Sequence, residues 1–127
     1  MTSEHRWIIA GARKIRRGDI EEILRQIEEY ARLYGRPDLV ISGGATGADE
    51  VGEQWAEAVG IPVERHPADW SAHGKAAGPI RNQAMAERGT HLLAFPGPKS
   101  RGTYDVVRKA RAAGLEVLVH EIGGDDE

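Results

Sequence analysis

A β-branched apolar run, Leu39-Val40-Ile41-Ser42, stops at Gly43-Gly44, and the residues from Ala45 to Val59 read as a helix. A strand that passes through glycine straight into a helix is the opening half of a βαβ unit, and such units build parallel sheets. The same junction constrains function. Glycine permits a tight turn and close approach, and a helix start offers free N–H groups and a positive dipole end. A second junction of this kind runs through Leu92-Leu93-Ala94-Phe95-Pro96-Gly97-Pro98-Lys99-Ser100-Arg101-Gly102-Thr103. Two anion-ready turns in one short chain point to a nucleotide-like ligand.

The remaining sequence continues the alternation. Arg6 to Ala12 reads as a first strand, and Ile20, Ile23, Leu24, Ile27, Ala31 and Tyr34 recur at helical spacing until Gly35 and Pro37. Asp38 to Ser42 is the second strand. Ile61 to His66 is a third, placed near an edge by Pro62. Pro67 to Gly78 is polar and irregular, and Pro79 suits the first turn of a helix reaching Arg88. Thr90 to Phe95, Thr103 to Ala113 and Leu115 to Ile122 complete the pattern as strand, helix and strand.

The expected fold is α/β and Rossmann-like: a doubly wound, mainly parallel five-stranded sheet with helices on both faces. The right-handed crossover rule favours strand order 3-2-1-4-5. Residues 1–122 are expected to form one domain and 123–127 a flexible acidic tail. Ligands in such folds lie beyond the carboxyl ends of the strands. The four segments expected there are Gly11 to Lys14, Gly43 to Asp49, Asp69 to Arg81 and Gly97 to Thr103.

Composition narrows the function classes. The formal net charge of -3 argues against a dedicated non-specific DNA binder. With no cysteine there can be no disulfide, thiolate metal site or cysteine nucleophile. The five histidines have no metal-ligand spacing, so neither metal nor cofactor is expected. The N-terminus is polar and no apolar run approaches the roughly 20 residues of a bilayer span. A cytoplasmic protein without membrane contact is the expectation.

Within the first loop, backbone N–H groups of Gly43, Gly44 and Gly47 and the Thr46 hydroxyl are candidate phosphate donors, with Ser42 beside them. Asp49 is a candidate ribose ligand. Glycines at 97 and 102 have Walker A spacing, but Thr103-Tyr104 stands where that loop needs Lys followed by Ser or Thr, so triphosphate hydrolysis of that kind is not expected. Lys99, Ser100, Arg101, Gly102 and Thr103 can still hold a smaller phosphate, with Gly97 shaping the turn. Arg81, next to Asn82, can supply a bidentate countercharge. Gly11 and Arg13 follow the first strand, Asp69 and Lys75 line the irregular segment, and Trp70 or Tyr104 can stack on a base.

Taken in order, Ile41-Ser42-Gly43-Gly44-Ala45-Thr46-Gly47-Ala48-Asp49, Ala68-Asp69-Trp70, Gly74-Lys75-Ala76-Ala77-Gly78-Pro79-Ile80-Arg81-Asn82 and Lys99-Ser100-Arg101-Gly102-Thr103 resemble the YspA/YpsA-related branch of the SLOG superfamily. The resemblance runs from about residue 6 to 121. It implies a Rossmann-like fold and a nucleotide or nucleotide-derived ligand, and its branch includes many phage proteins. Related families include the LOG phosphoribohydrolases, which cleave nucleoside 5'-monophosphates to base and ribose 5-phosphate, and the DNA-processing protein DprA.

Arg81 and Met85 match the LOG Arg–Met pair, and Pro96-Gly97 and Gly102-Thr103 match parts of its glycine loop. The LOG catalytic glutamate falls on Val106, and Asp105, one residue earlier, points about 100° away on a helix. A ligand-binding module is therefore the expected function. The alternative is a phosphoribohydrolase using Arg81 and Asp49, with Asp69 or Asp105 as other acids. DprA-like nucleic-acid binding comes third, and nucleic acid is not an expected partner. A homo-oligomer, dimeric or larger, is the expected assembly.

Overall fold

Strand β1 (Arg6–Gly11) is buried on both sides because its alternate residues serve two different helix layers. Trp7 and Ile9 pack with Ile23 and Ile27 of helix α1 (Arg17–Tyr34) and with Val51 and Trp55 of α2 (Ala48–Ala58). Ile8 and Ala10 pack with Met85 of α4 (Ala77–Arg88) and with Val106, Val107 and Ala110 of α5 (Arg101–Ala112). Burial on both faces is why the strands read as nearly continuous apolar runs.

The computed structural model describes residues 4–124. Strands β2 (Leu39–Ser42), β3 (Val63–Arg65), β4 (His91–Phe95) and β5 (Glu116–Val119) join β1 in one parallel sheet of order β3-β2-β1-β4-β5, β2 and β4 pairing with β1 itself. This is the doubly wound α/β architecture and the strand order expected from the sequence, with the proline-flanked β3 at an edge.

Local boundaries differ for identifiable reasons. Helix α2 starts at Ala48 rather than Ala45 because Gly44 and Gly47 take φ of 74° and 81°, outside the helical region. Helix α4 starts at Ala77, which puts Pro79 third in the helix; first-turn N–H groups have no intrahelical partner, so the proline costs no bond there. The segment expected to be irregular holds a short helix, α3 (Trp70–His73), and a 3-10 turn at Gly74–Ala76. Asp69 caps α3 by accepting from the Ala72 N–H at 3.1 Å. Among the described residues no helix is long and apolar enough to cross a membrane.

The end of the described chain is tied down. Ile122 donates to the Pro96 carbonyl at 3.0 Å, and the buried Gly124 N–H donates to Asp19 Oδ2 at 3.0 Å. The remainder of the expected acidic tail, residues 125–127, lies outside the described residues.

Three backbone segments meet at the end of β1. Ala12 N–H donates to Phe95 O and Ala48 N–H donates to Ala12 O, each at 3.0 Å. A Cβ on Gly11 would lie 2.3 Å from the Phe95 oxygen and 2.8 Å from the Ala48 Cβ, a clash with backbone that cannot rotate away. Gly11→Ala is therefore expected to cost at least about 2 kcal/mol, read as a lower urea midpoint. Gly18→Ala, which meets nothing within 4 Å in the first turn of α1, should be neutral or gain about 0.5 kcal/mol in the same assay.

Candidate functional site

The carboxyl ends of the strands gather the two glycine-bearing loops, and a third element lies between them: the start of α4. Arg81 extends from α4 to the first loop, where its Nη1 donates to Gly43 O at 2.7 Å. Its Nε donates to the Asn82 side-chain oxygen at 2.9 Å. Asn82, buried, turns its amide nitrogen to Gly102 O at 3.2 Å and to Asp105 Oδ2 at 2.9 Å. Gly43, Arg81, Asn82 and Gly102 thus form one connected set.

Gly43 has no room for a side chain. A Cβ there would lie 2.5 Å from Arg81 Nη1 and 3.0 Å from Asp49 Oδ2, so guanidinium and carboxylate close over the same backbone atom. Asp49 is only 5% exposed. Burial pushes its carboxyl up to about 6, although N–H groups of Ala45 and Gly11 and the charge of Arg81 pull the other way.

The first loop satisfies most of its own donors. Gly44 N–H donates to Ser42 Oγ at 3.0 Å, Ala45 N–H to Asp49 Oδ2 at 3.3 Å and Gly47 N–H to Glu50 Oε1 at 3.1 Å. Thr46 gives its hydroxyl hydrogen to the Arg13 carbonyl at 3.1 Å. With two acids in its first turn, α2 already meets its dipole with its own carboxylates. The second loop is different. Helix α5 has no acid in its first turn and no side-chain cap, because Ser100 Oγ accepts instead from Gly97 N–H at 2.8 Å. Lys99, Arg101 and Gly102 are exposed around it.

The other sequence candidates divide between packing or capping roles and open surface. Gly11 and Gly97 make close backbone contacts, Gly97 against Ala12 and Gly124. Asp69 is the α3 cap described above; hydrogen bonds from Ala72 and Ser71 hold its carboxyl below the usual range. Thr103 is buried, whereas Lys75, Arg13, Trp70 and Tyr104 are exposed, Trp70 beside Gly78. Val106 is buried in the α5 core. Asp105 links α5 to α4 by accepting from the Asn82 amide at 2.9 Å, and along α5 it pairs with Lys109 at 2.8 Å and Arg108 at 2.7 Å. Burial would raise its carboxyl, but Lys109 and Asn82 outweigh that and hold it ionised.

One participant had no role in the sequence reading. Glu53, one turn after Asp49 on α2, accepts from the buried Ser42 hydroxyl at 2.5 Å and pairs with Arg65 at 2.7 Å. Burial would raise Glu53, yet Arg65 and Ser42 pull it below the ordinary value. Register pairing of Ser42 with Arg65 was the signal available, since it sets an arginine beside the loop that Glu53 must reach.

A family model described as "YspA, cpYpsA-related SLOG family" matches residues 6–73. The chain belongs to that family. The matched region runs from β1 through α3 and contains the Gly43 to Asp49 loop, while Arg81 and the second loop lie beyond it. Gene 61 protein of Mycobacterium phage D29 is 42% identical over 86 residues, covering 63% of this chain and 69% of the phage protein. No solved structure matches.

The raised Asp49 carboxyl has a direct consequence for stability. Asp49 binds its proton more tightly folded than unfolded, so between about pH 4 and pH 6 the folded chain holds more protons and this group's contribution falls as pH rises. Once ionised, the buried carboxylate costs on the order of 3 kcal/mol. Asp49→Asn should remove that cost. Urea unfolding of both proteins at pH 4 and pH 7 should show the variant gaining on the wild type by about 2–3 kcal/mol across that interval.

Proposed function

We propose that the protein binds a nucleotide or nucleotide-derived small molecule at the carboxyl ends of β1, β2 and β4. The observation that carries this reading is the state of Arg81. Arg16, Arg25, Arg32, Arg65, Arg88 and Arg108 all pair with carboxylates. Arg81 is half-buried and, like Arg6 on the Arg88 carbonyl, donates to neutral acceptors, a backbone carbonyl and an amide; unlike Arg6 it does so at the carboxyl ends of the strands, against the first loop. A guanidinium fixed in this way acts on the nearby Asp49 carboxyl but is bonded to no carboxylate, and its charge can serve an anion.

The two loops suit opposite ends of the ligand. Phosphate goes to the first turn of α5 with Arg81 as countercharge, because α2 is already occupied by Asp49 and Glu50. A group that donates hydrogen bonds, such as a ribose hydroxyl, goes to the Asp49 side. Family membership supports a nucleotide-related ligand, and Trp70 or Tyr104 supplies an exposed aromatic face for a base.

A second reading draws on Asp49 itself. A buried carboxyl that titrates near 6 can hold a proton near neutral pH and deliver it to a departing base, as a LOG-like phosphoribohydrolase requires. Asp105 and Asp69 do not compete for this task, being engaged as a brace and a cap.

Proton NMR of the protein with a panel of nucleoside 5'-monophosphates and diphosphates separates the two readings. Binding is expected as line broadening without products, weakened by about tenfold or more in Arg81→Ala, the usual loss for a charged hydrogen bond. Free base and ribose 5-phosphate, formed by the wild type and lost in Asp49→Asn, would establish the enzyme instead. Broadening by oligonucleotides alone, steeply reduced by salt, would overturn both.

A further inference from the structure

We infer that Asn82 is a positioning residue that couples the two glycine-bearing loops, fixing Arg81 on the first and the opening turn of α5 on the second. The inference extends the ligand reading above, but the coupling itself is a property of the unliganded chain.

The geometry leaves the amide one orientation. Arg81 Nε can only donate and Gly102 O can only accept, so the oxygen of Asn82 must face the guanidinium and its nitrogen the α5 carbonyl. Asp105 accepts from the same nitrogen and is held in place by Arg108 and Lys109. Lys109 also donates to Pro79 O at 2.9 Å, which returns the network to α4. The chain of contacts thus runs from Gly43 O through Arg81 and Asn82 to Gly102 O without a gap.

The chemistry selects this residue. At 5% exposure the side chain has little water to replace a lost partner. Aspartate at this position would face the Asp105 carboxylate and lose both donors. Alanine or leucine would leave Arg81 Nε, Gly102 O and one lone pair of Asp105 without their partner. Any shift of Asn82 is felt at once by the guanidinium that touches Gly43 and by the helix start that would hold phosphate.

Amide correlation spectra of the isotope-labelled, unliganded protein test the coupling. In Asn82→Ala the Arg81 Nε–H signal should move and exchange faster with water, and the Gly43, Gly44 and Gly102 amides should shift together. Arg81→Lys, a milder change at a half-exposed site, should shift Gly102 across the network in return. Gln83→Ala, beside Asn82 on α4 but exposed and bonded to Glu87, leaves the network intact and should leave Gly43 and Gly44 unmoved. If neither Asn82→Ala nor Arg81→Lys produces a shift in the opposite loop, the inference is overturned.

Titration with adenosine 5'-monophosphate then reads the consequence for the ligand. Wild type should bind, and Asn82→Ala should bind about tenfold more weakly. If the wild type binds no panel nucleotide while the loop shifts are present, the ligand reading fails and the coupling stands. If binding is unchanged in Asn82→Ala and the loops do not respond, the coupling fails and the ligand reading stands.

Discussion

The close approach of backbone around Gly11 and Gly47 closes the turn at the end of β1. Ala12 is hydrogen-bonded on one side to the end of β4 and on the other to the first residue of α2. A Cβ on Gly47 would come within 2.2 Å of the Ala12 oxygen, so even the start of α2 is pressed against the β1 turn. In dinucleotide-binding Rossmann folds the turn after the first strand cradles the pyrophosphate. Here that turn is sewn to its neighbours, and Gly97 and Gly124 fill its flank. The open chemistry therefore shifts toward β2 and toward α4, the helix that enters from the crossover after β3.

That displacement explains the electrostatic division of labour. Both α2 and α5 begin at the same end of the sheet, so each presents a positive dipole end to the same region. Helix α2 neutralises its own with Asp49 and Glu50, whereas α5 begins with Arg101, Gly102 and Thr103 and leaves its own unmet. Arg81 sits between them on neutral acceptors. The field at this end of the sheet is thus graded, acidic toward β2 and basic toward β4, which is why the proposed ligand would enter in a single direction, phosphate to α5.

Sequence alone carried the architecture because the relevant signals are local and repeated. Apolar runs of strand length, glycine at their ends and helical periodicity between them leave little freedom once crossovers must be right-handed. The Gly43 loop, Arg81 and Asn82 were legible for a similar reason: residue types unusual for a plain turn or helix start cluster near a strand end. Other features were not legible because they depend on contacts across the fold. The sequence marked Asp69 as a ligand candidate but gave no sign that it caps α3, accepting from an N–H three residues on. Asp105 looked like a displaced catalytic acid, but it is surrounded by Lys109, Arg108 and Asn82. Glu53 carried no local mark, since only the pairing of Ser42 with Arg65 reveals what it holds.

Asp49 and Glu53 stand one turn apart on α2 and are driven in opposite directions. Glu53 has an arginine and a hydroxyl to stabilise its charge, and its carboxylate locks Ser42, which in turn accepts from the Gly44 N–H. Asp49 is more deeply buried and has only backbone N–H groups and the more distant Arg81 charge. A fold that needed only a capped helix could use Glu50 for that purpose and place an uncharged residue at 49, avoiding the cost of a buried acid. Departures from local economy of this kind concentrate where a site demands them. With Glu53 bonded to the Ser42 hydroxyl at the loop's base, Asp49 is left with a carboxyl pushed up to about 6, over the glycine that Arg81 also touches. A ligand that donates to Asp49 would favour its ionised form and release a proton on binding. One that accepts from it would hold the proton in place. Under the proposed reading, the direction of proton exchange would report which end of the ligand enters the first loop.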